Sequence, residues 1–124
     1  MTALLQRGEV VTTLPQALQS FVAVYHAASD LVTAQNGWNC TIALVATDSN
    51  EAIALQIEDG RVVHLGGQPE AVDLLIRSDW ATLYDILTFQ RDPNEPYLFG
   101  ELTVQGPEEH FLRLDYIATM LCAP

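Results

Sequence analysis

The residues able to do chemistry are few and scattered. The three histidines, His26, His64 and His110, fall on different predicted elements, and no pair has the spacing of a metal site, so ordinary structural histidines outweigh metal ligands. His64 is the strongest of them: facing inward it could hydrogen-bond a ligand carboxyl group, against the commoner uses as a satisfied core histidine or an edge residue. The two cysteines, Cys40 and Cys122, are far apart and lack a C-x-x-C motif, which reads as two free thiols in a reducing compartment. Cys40 lies on an apolar strand with no helix N-terminus or fixed cation beside it, the setting of a buried inert thiol rather than a nucleophile. Ser78-Asp79 reads as a helix cap, not half of a catalytic triad. Asp79 and Asp85 share one helix as a solvated face, and Gly66-Gly67 is a loop signal without a nucleotide fingerprint. Arg77 leaves an apolar strand beside the capping acid; it is a candidate head-group partner, although an ion pair with Asp73 or Asp79 is the more common use. No catalytic set, metal site or cofactor motif emerges.

The composition narrows the classes further. A chain of 124 residues suits a single domain, 1–124. Hydrophobic residues make up 49% and charged ones 17%, against a usual charged share of roughly 25%, so a core-rich fold is expected and disorder is excluded. Sixteen acids face five cations, all of them arginine, for a net charge of -11. Without lysine there is no Schiff-base chemistry and no Walker-type phosphate loop. Nucleic acids and anionic bilayers are poor partners for so acidic a chain. The N-terminal residues lack a signal-peptide core and no run approaches the roughly 20 apolar residues of a membrane span, so a cytoplasmic protein without stable membrane insertion is expected.

These residues must be positioned by a regular set of elements. Thr12-Thr13-Leu14-Pro15 announces a helix, and Leu14, Leu18, Phe21, Val22, Tyr25 and Ala28 give it one apolar stripe up to Asn36-Gly37. From Trp38 the period becomes two, with Trp38, Cys40, Ile42, Leu44 and Ala46 on one face. Asp48-Ser49-Asn50 turns the chain into a second strand, Glu51 to Asp59, with Ile53, Leu55 and Ile57 inward. Asp59-Gly60 is a two-residue hairpin signal leading to a third strand, Arg61 to Leu65. That turn pairs Ile57 with Val62, Glu58 with Arg61 and Leu55 with His64, which puts His64 on the inner face. After Gly66-Gly67-Gln68-Pro69, Ala71 to Ser78 forms a fourth strand, and a helix runs from Trp80 to Gln90 with Trp80, Leu83, Tyr84 and Leu87 on one face. Pro93 and Pro96 predict an extended stretch to Gly100. A fifth strand, Glu101 to Gln105, and a last helix opened by Pro107 and two acids complete the order.

That last helix is apolar on nearly every side between Phe111 and Leu121, more than a small monomer's surface helix needs. A second core layer, a subunit interface or a lipid would use the surplus. The element order predicts an α+β fold, helices against one face of a five-stranded, mostly antiparallel sheet.

From Arg77-Ser-Asp-Trp-Ala-Thr-Leu-Tyr-Asp-Ile-Leu-Thr through Asp92-Pro-Asn-Glu-Pro-Tyr-Leu-Phe-Gly100-Glu-Leu-Thr-Val-Gln-Gly106, the chain resembles the sterol carrier protein type 2 domain family. The shared pattern is an acidic helix start, a leucine-rich helix, a D-P motif, an aromatic before glycine, a short strand ending in glycine and an apolar final helix. It extends from about Asp73 to Leu121, and the Asp59-Gly60 hairpin is placed as in the family. The resemblance implies helices enclosing an apolar tunnel for a sterol, fatty acid, acyl-CoA or phospholipid, and no catalytic residues. Glu101 stands where family members often carry lysine, and the acidity departs from their basic surface, which argues against docking on anionic bilayers. Leu121-Cys-Ala-Pro124 is not a Ser-Lys-Leu peroxisomal address, and the domain is expected to stand alone.

On that reading Phe21, Tyr25, Leu83, Leu87, Phe99, Phe111, Leu114 and Ile117 line the tunnel, with His64 and Arg77 as polar head-group contacts. Periodicity alone would favour a filled core; the tunnel rests on the resemblance. The expected function is non-enzymatic binding of an apolar lipid. The alternative is a homodimerisation or scaffold module with a closed cavity and the last helix as its interface; a small enzyme built around His64 is a third and weaker reading.

Overall fold

The computed structural model describes residues 13–67 and 71–122. The expectations for the N-terminal residues, for Gln68-Pro69 and for the last two residues lie outside them. Helix α1, Leu14–Ala27, starts on a reciprocal cap: Gln16 N donates to Thr13 Oγ1 (3.3 Å) and Thr13 N to Gln16 Oε1 (2.9 Å), with Pro15 in the first turn where no N–H is missed. The helix expected to continue to Asn36 breaks at Ala28, and a second, α2, spans Ser29–Ala34. Ser29 and Asp30 favour helix starts over interiors, because their side chains compete for backbone hydrogen bonds. The break lets Leu31 and Val32 turn into the core.

Five strands follow the predicted order: β1 Cys40–Ala46, β2 Glu51–Glu58, β3 Arg61–Leu65, β4 Leu74–Ser78 and β5 Leu102–Gln105. They lie in the order β3-β2-β1-β4-β5. Three of the four pairings are antiparallel and β1 pairs β4 in parallel, so the sheet is mixed. Ile42, Leu44, Ile53, Leu55, Ile57, Leu74, Ile76 and Leu102 face the helices and are buried, while Gln56, Arg77 and Thr103 on the other face are exposed.

The β2–β3 turn has φ of 53° at Asp59 and 82° at Gly60, both positive as an Asp-Gly hairpin requires. Gly60 is demanded twice over, since a Cβ there would sit 2.6 Å from the Gln35 carbonyl oxygen. Ile57 pairs Val62 and Glu58 pairs Arg61 as expected, but the register then shifts, with Gln56 opposite His64 and Leu55 opposite Leu65. Val63 is the extra residue of a bulge. It reverses the side of everything after it: Leu65 packs on the core and His64 is exposed, not inward.

The helices α3, Trp80–Leu87, and α4, Asn94–Leu98, differ from expectation in two ways. First, α3 stops before Gln90, where the Thr88 hydroxyl donates to Tyr84 O (2.7 Å) and Phe89 turns left-handed at φ 66°. Its buried face is Thr82, Leu83, Ile86 and Leu87, with Trp80 and Tyr84 half-buried at its side. Second, α4 replaces the extended stretch. Asp92 Oδ1 accepts from the Asn94 and Glu95 N–H groups (2.9 and 3.2 Å), and Pro96 falls in a first turn that needs no donor from it.

The final helix, α5, runs Glu108–Cys122. Gly106, just before it, has φ 132° and lies against β4: a Cβ there would fall on the Asp73 carbonyl oxygen and 3.1 Å from Leu74 Cα. Phe111, Ile117 and Ala118 are buried, while Leu112, Tyr116 and Met120, four residues apart in turn, form an exposed apolar stripe.

Candidate functional site

Where α1, α3 and α5 meet the inner sheet face, they enclose a space with no polar atom facing it. Phe21 and Tyr25 of α1, Leu83 and Leu87 of α3, and Phe111, Leu114 and Ile117 of α5 all line it. Phe99 does not. Once α4 forms, Pro96 is buried and Tyr97 packs on Phe111 (ring centroids 4.9 Å), leaving Phe99 at the helix end 73% exposed. His64 and Arg77 are also absent from the lining: the Val63 bulge turns His64 away, and strand alternation places Arg77 between buried Ile76 and Ser78 on the outer face. The ion pair expected of Arg77 does not form among the described residues, where both ion pairs belong to Arg91, with Glu95 (3.6 Å) and Glu101 (2.9 Å).

The free space is about 50 Å³. A water needs ~10–15 Å³ on that measure, so a handful would fill it, whereas ligand pockets run to about 300–1,000 Å³. The space in this structure is smaller than a lipid, and a lipid-sized guest requires the covering helices to move apart.

Behind Trp38 and Tyr25, at one end of this space, lie polar groups that inspection of the sequence passed over. Trp38, the first inward residue after Gly37, lines the void and donates from Nε1 to His110 Nδ1 (3.0 Å). The Arg113 guanidinium lies over the Trp38 ring, 5.8 Å from its centroid, and donates from Nη1 to Oε1 of buried Gln35 (2.8 Å). Tyr25 donates its hydroxyl to Gly60 O, and His26 Nε2 accepts from Val62 N (3.1 Å). Burial raises the Tyr25 hydroxyl above its ordinary pKa, with the charges of Arg61 and Arg113 opposing. Burial lowers His26, and the Arg61 charge lowers it further. The available signal was Arg113 itself, the one cation of α5, with His110 three residues before it on the same side.

Cys40 and Cys122 are free. Burial, reinforced by the Asp73 charge, pushes the Cys40 thiol up to about 12, so almost no thiolate exists at neutral pH. Iodoacetamide at pH 8 should leave the Cys40 peptide unmodified in the native protein and alkylate it fully in denaturant, as read by mass spectrometry. Comparable labelling in the two states would contradict the burial.

No helix among the described residues is long and apolar enough to cross a membrane. Among curated proteins none matches the sequence. Solved structures do. A crystal structure of sterol carrier protein 2 superposes with a TM-score of 0.64 at 16% identity, covering 86% of this chain and 93% of that one. The solution structure of palmitated SCP2L2 from Aedes aegypti gives 0.60 at 13% identity over 82% and 94% of the two chains. The sec-alkylsulfatase Pisa1 from Pseudomonas sp. contains the same fold, with a TM-score of 0.56 at 18% identity over 77% of this chain and 14% of that one. These likenesses agree in fold with the sequence match to the SCP-2 sterol transfer family over residues 21–118: the chain belongs to that family.

Proposed function

We propose that this protein is a non-enzymatic lipid carrier that takes an apolar chain or ring system into the space between α1, α3, α5 and the sheet. The observation that carries the reading is the lining, apolar throughout and drawn from three helices and the inner sheet face, in a member of a sterol transfer family. A protein of the same fold, SCP2L2 from Aedes aegypti, is palmitated, which supports an acyl chain as guest. Guest burial at roughly 25 cal/mol per Å² of apolar surface provides the affinity, and the space enlarges as the guest enters. Its two free thiols fit a carrier working in the cytoplasm.

The exposed stripe of Leu112, Tyr116 and Met120 favours a second reading, a homodimer through α5 with the void left closed. Delipidated protein incubated with a bacterial lipid extract and examined by native mass spectrometry separates the two. One lipid adduct per chain is expected. A bare mass at the dimer position would overturn the carrier reading in favour of the second.

A further inference from the structure

Arg113 is a half-buried cation without a carboxylate partner among the described residues, in a chain where acids outnumber cations by 16 to 5. A guanidinium carries five N–H donors, and of these the described residues engage one, toward the neutral amide of Gln35. Its other neighbour is the face of Trp38. A half-buried charge surrounded by neutral groups pays for its desolvation unless an anion joins it. Glu109, four residues before it on α5, makes no ion pair with it.

The surrounding groups add to the same polarity. His110 accepts at Nδ1 from Trp38, which puts the proton of the neutral ring on Nε2 and leaves it as a donor without a partner among the described residues. The Arg61 charge is near enough to act on both Tyr25 and His26. Two of the five arginines and two of the three histidines thus gather at one end of an apolar void, in a protein whose net field repels anions. Neither Arg113 nor His110 lines the void; Trp38 and Tyr25 belong at once to this cluster and to the lining, so the cationic groups stand behind those two rings and meet a guest only once the helices part.

We propose that Arg113, with His110 beside it, is the head-group site of the cavity and that it selects a single-chain lipid ending in a free carboxylate over a neutral alcohol or sterol. This rests on the lipid-carrier reading. The planar fork of Arg113, held over Trp38, presents two parallel donors to a carboxylate, while the chain runs past Leu18 and Phe21 toward Ile117.

The test compares binding of hexadecanoate, hexadecan-1-ol and hexadecyl phosphate to delipidated protein and to its Arg113→Gln, Arg113→Lys and Arg77→Gln variants, each checked for an unchanged circular dichroism spectrum. Hexadecanoate should bind at least about tenfold tighter than the alcohol, the scale of one charge-assisted hydrogen bond. Arg113→Gln should bring the acid down to the level of the alcohol without changing the alcohol itself. Arg113→Lys should keep part of the preference, and Arg77→Gln, outside the cavity, all of it. Equal affinities for acid and alcohol, or a preference that survives Arg113→Gln, would overturn the head-group site while leaving the carrier reading intact. A hexadecyl phosphate bound tighter than the acid would replace carboxylate with phosphate as the head group. Binding of none of the three would overturn the carrier reading itself.

Discussion

Gly106→Ala should cost the protein about 3 kcal/mol or more, which at about 4 °C per kcal/mol for a domain of this size lowers Tm by more than ~10 °C. Two effects add. The φ of 132° is a conformation that side chains rarely adopt, and the new Cβ would fall on the Asp73 carbonyl oxygen, which is backbone and cannot swing aside. Asp73 is itself fixed, its N–H donating to Thr41 O (2.8 Å) and its carboxylate accepting from Thr41 N (2.9 Å). Relief therefore has to come from displacing β4 or the start of α5. Gly37→Ala supplies the comparison, because Gly37 also has positive φ (86°) but nothing within 4 Å of its Cβ position; about 1 kcal/mol of backbone strain is expected there. Thermal denaturation of both variants checks the pair, and equal losses would show that close approach at Gly106 contributes nothing.

Phe111→Ala should cost about 3–5 kcal/mol, the range for truncating a buried aromatic. Phe111 is 3% exposed, carries Tyr97 on its ring and lines the void. The truncation enlarges a space that already exists, and the surrounding helices close on it only partly. Its neighbour Leu112 is 53% exposed, and Leu112→Ala should stay within about 0.5 kcal/mol. Urea denaturation of the two variants distinguishes them. Equal losses would mean that α5 does not sit on the core by the face described.

What the sequence made readable follows the range of the interactions involved. The Asp59-Gly60 hairpin and its first two pairs, Ile57 with Val62 and Glu58 with Arg61, depend on a few consecutive residues and were legible. The Val63 bulge was not, because no residue type marks it, and one inserted residue was enough to reverse His64. Parallel pairing of β1 with β4 joins segments some thirty residues apart, as in Ile42 with Leu74, and leaves no local pattern. The short helix α4 was hidden by its prolines, whose effect depends on position: at the first turn, after the cap of Asp92, they are tolerated. That Phe21, Tyr25, Leu83, Leu87, Phe111, Leu114 and Ile117 border one space was within reach, since periodicity fixes which side of a helix faces the core. The volume they enclose could not, because it depends on how several side chains mesh. Arg113 was passed over because its meaning comes from Trp38 and Gln35, both far from it in the chain.

The bulge in β3 also bears on how the protein keeps to itself. A chain that is 49% hydrophobic, with an open sheet of five strands, has two rims where a neighbour's strand could attach and begin aggregation. At one rim the inserted Val63 breaks the even row of backbone donors and acceptors, with Arg61 and His64 exposed on either side of it. At the other, β5 is only four residues long and is cut short by Gly106 and Pro107. Neither rim offers a long, flat template, and the insertion that turns a histidine away from the cavity also blunts one of them.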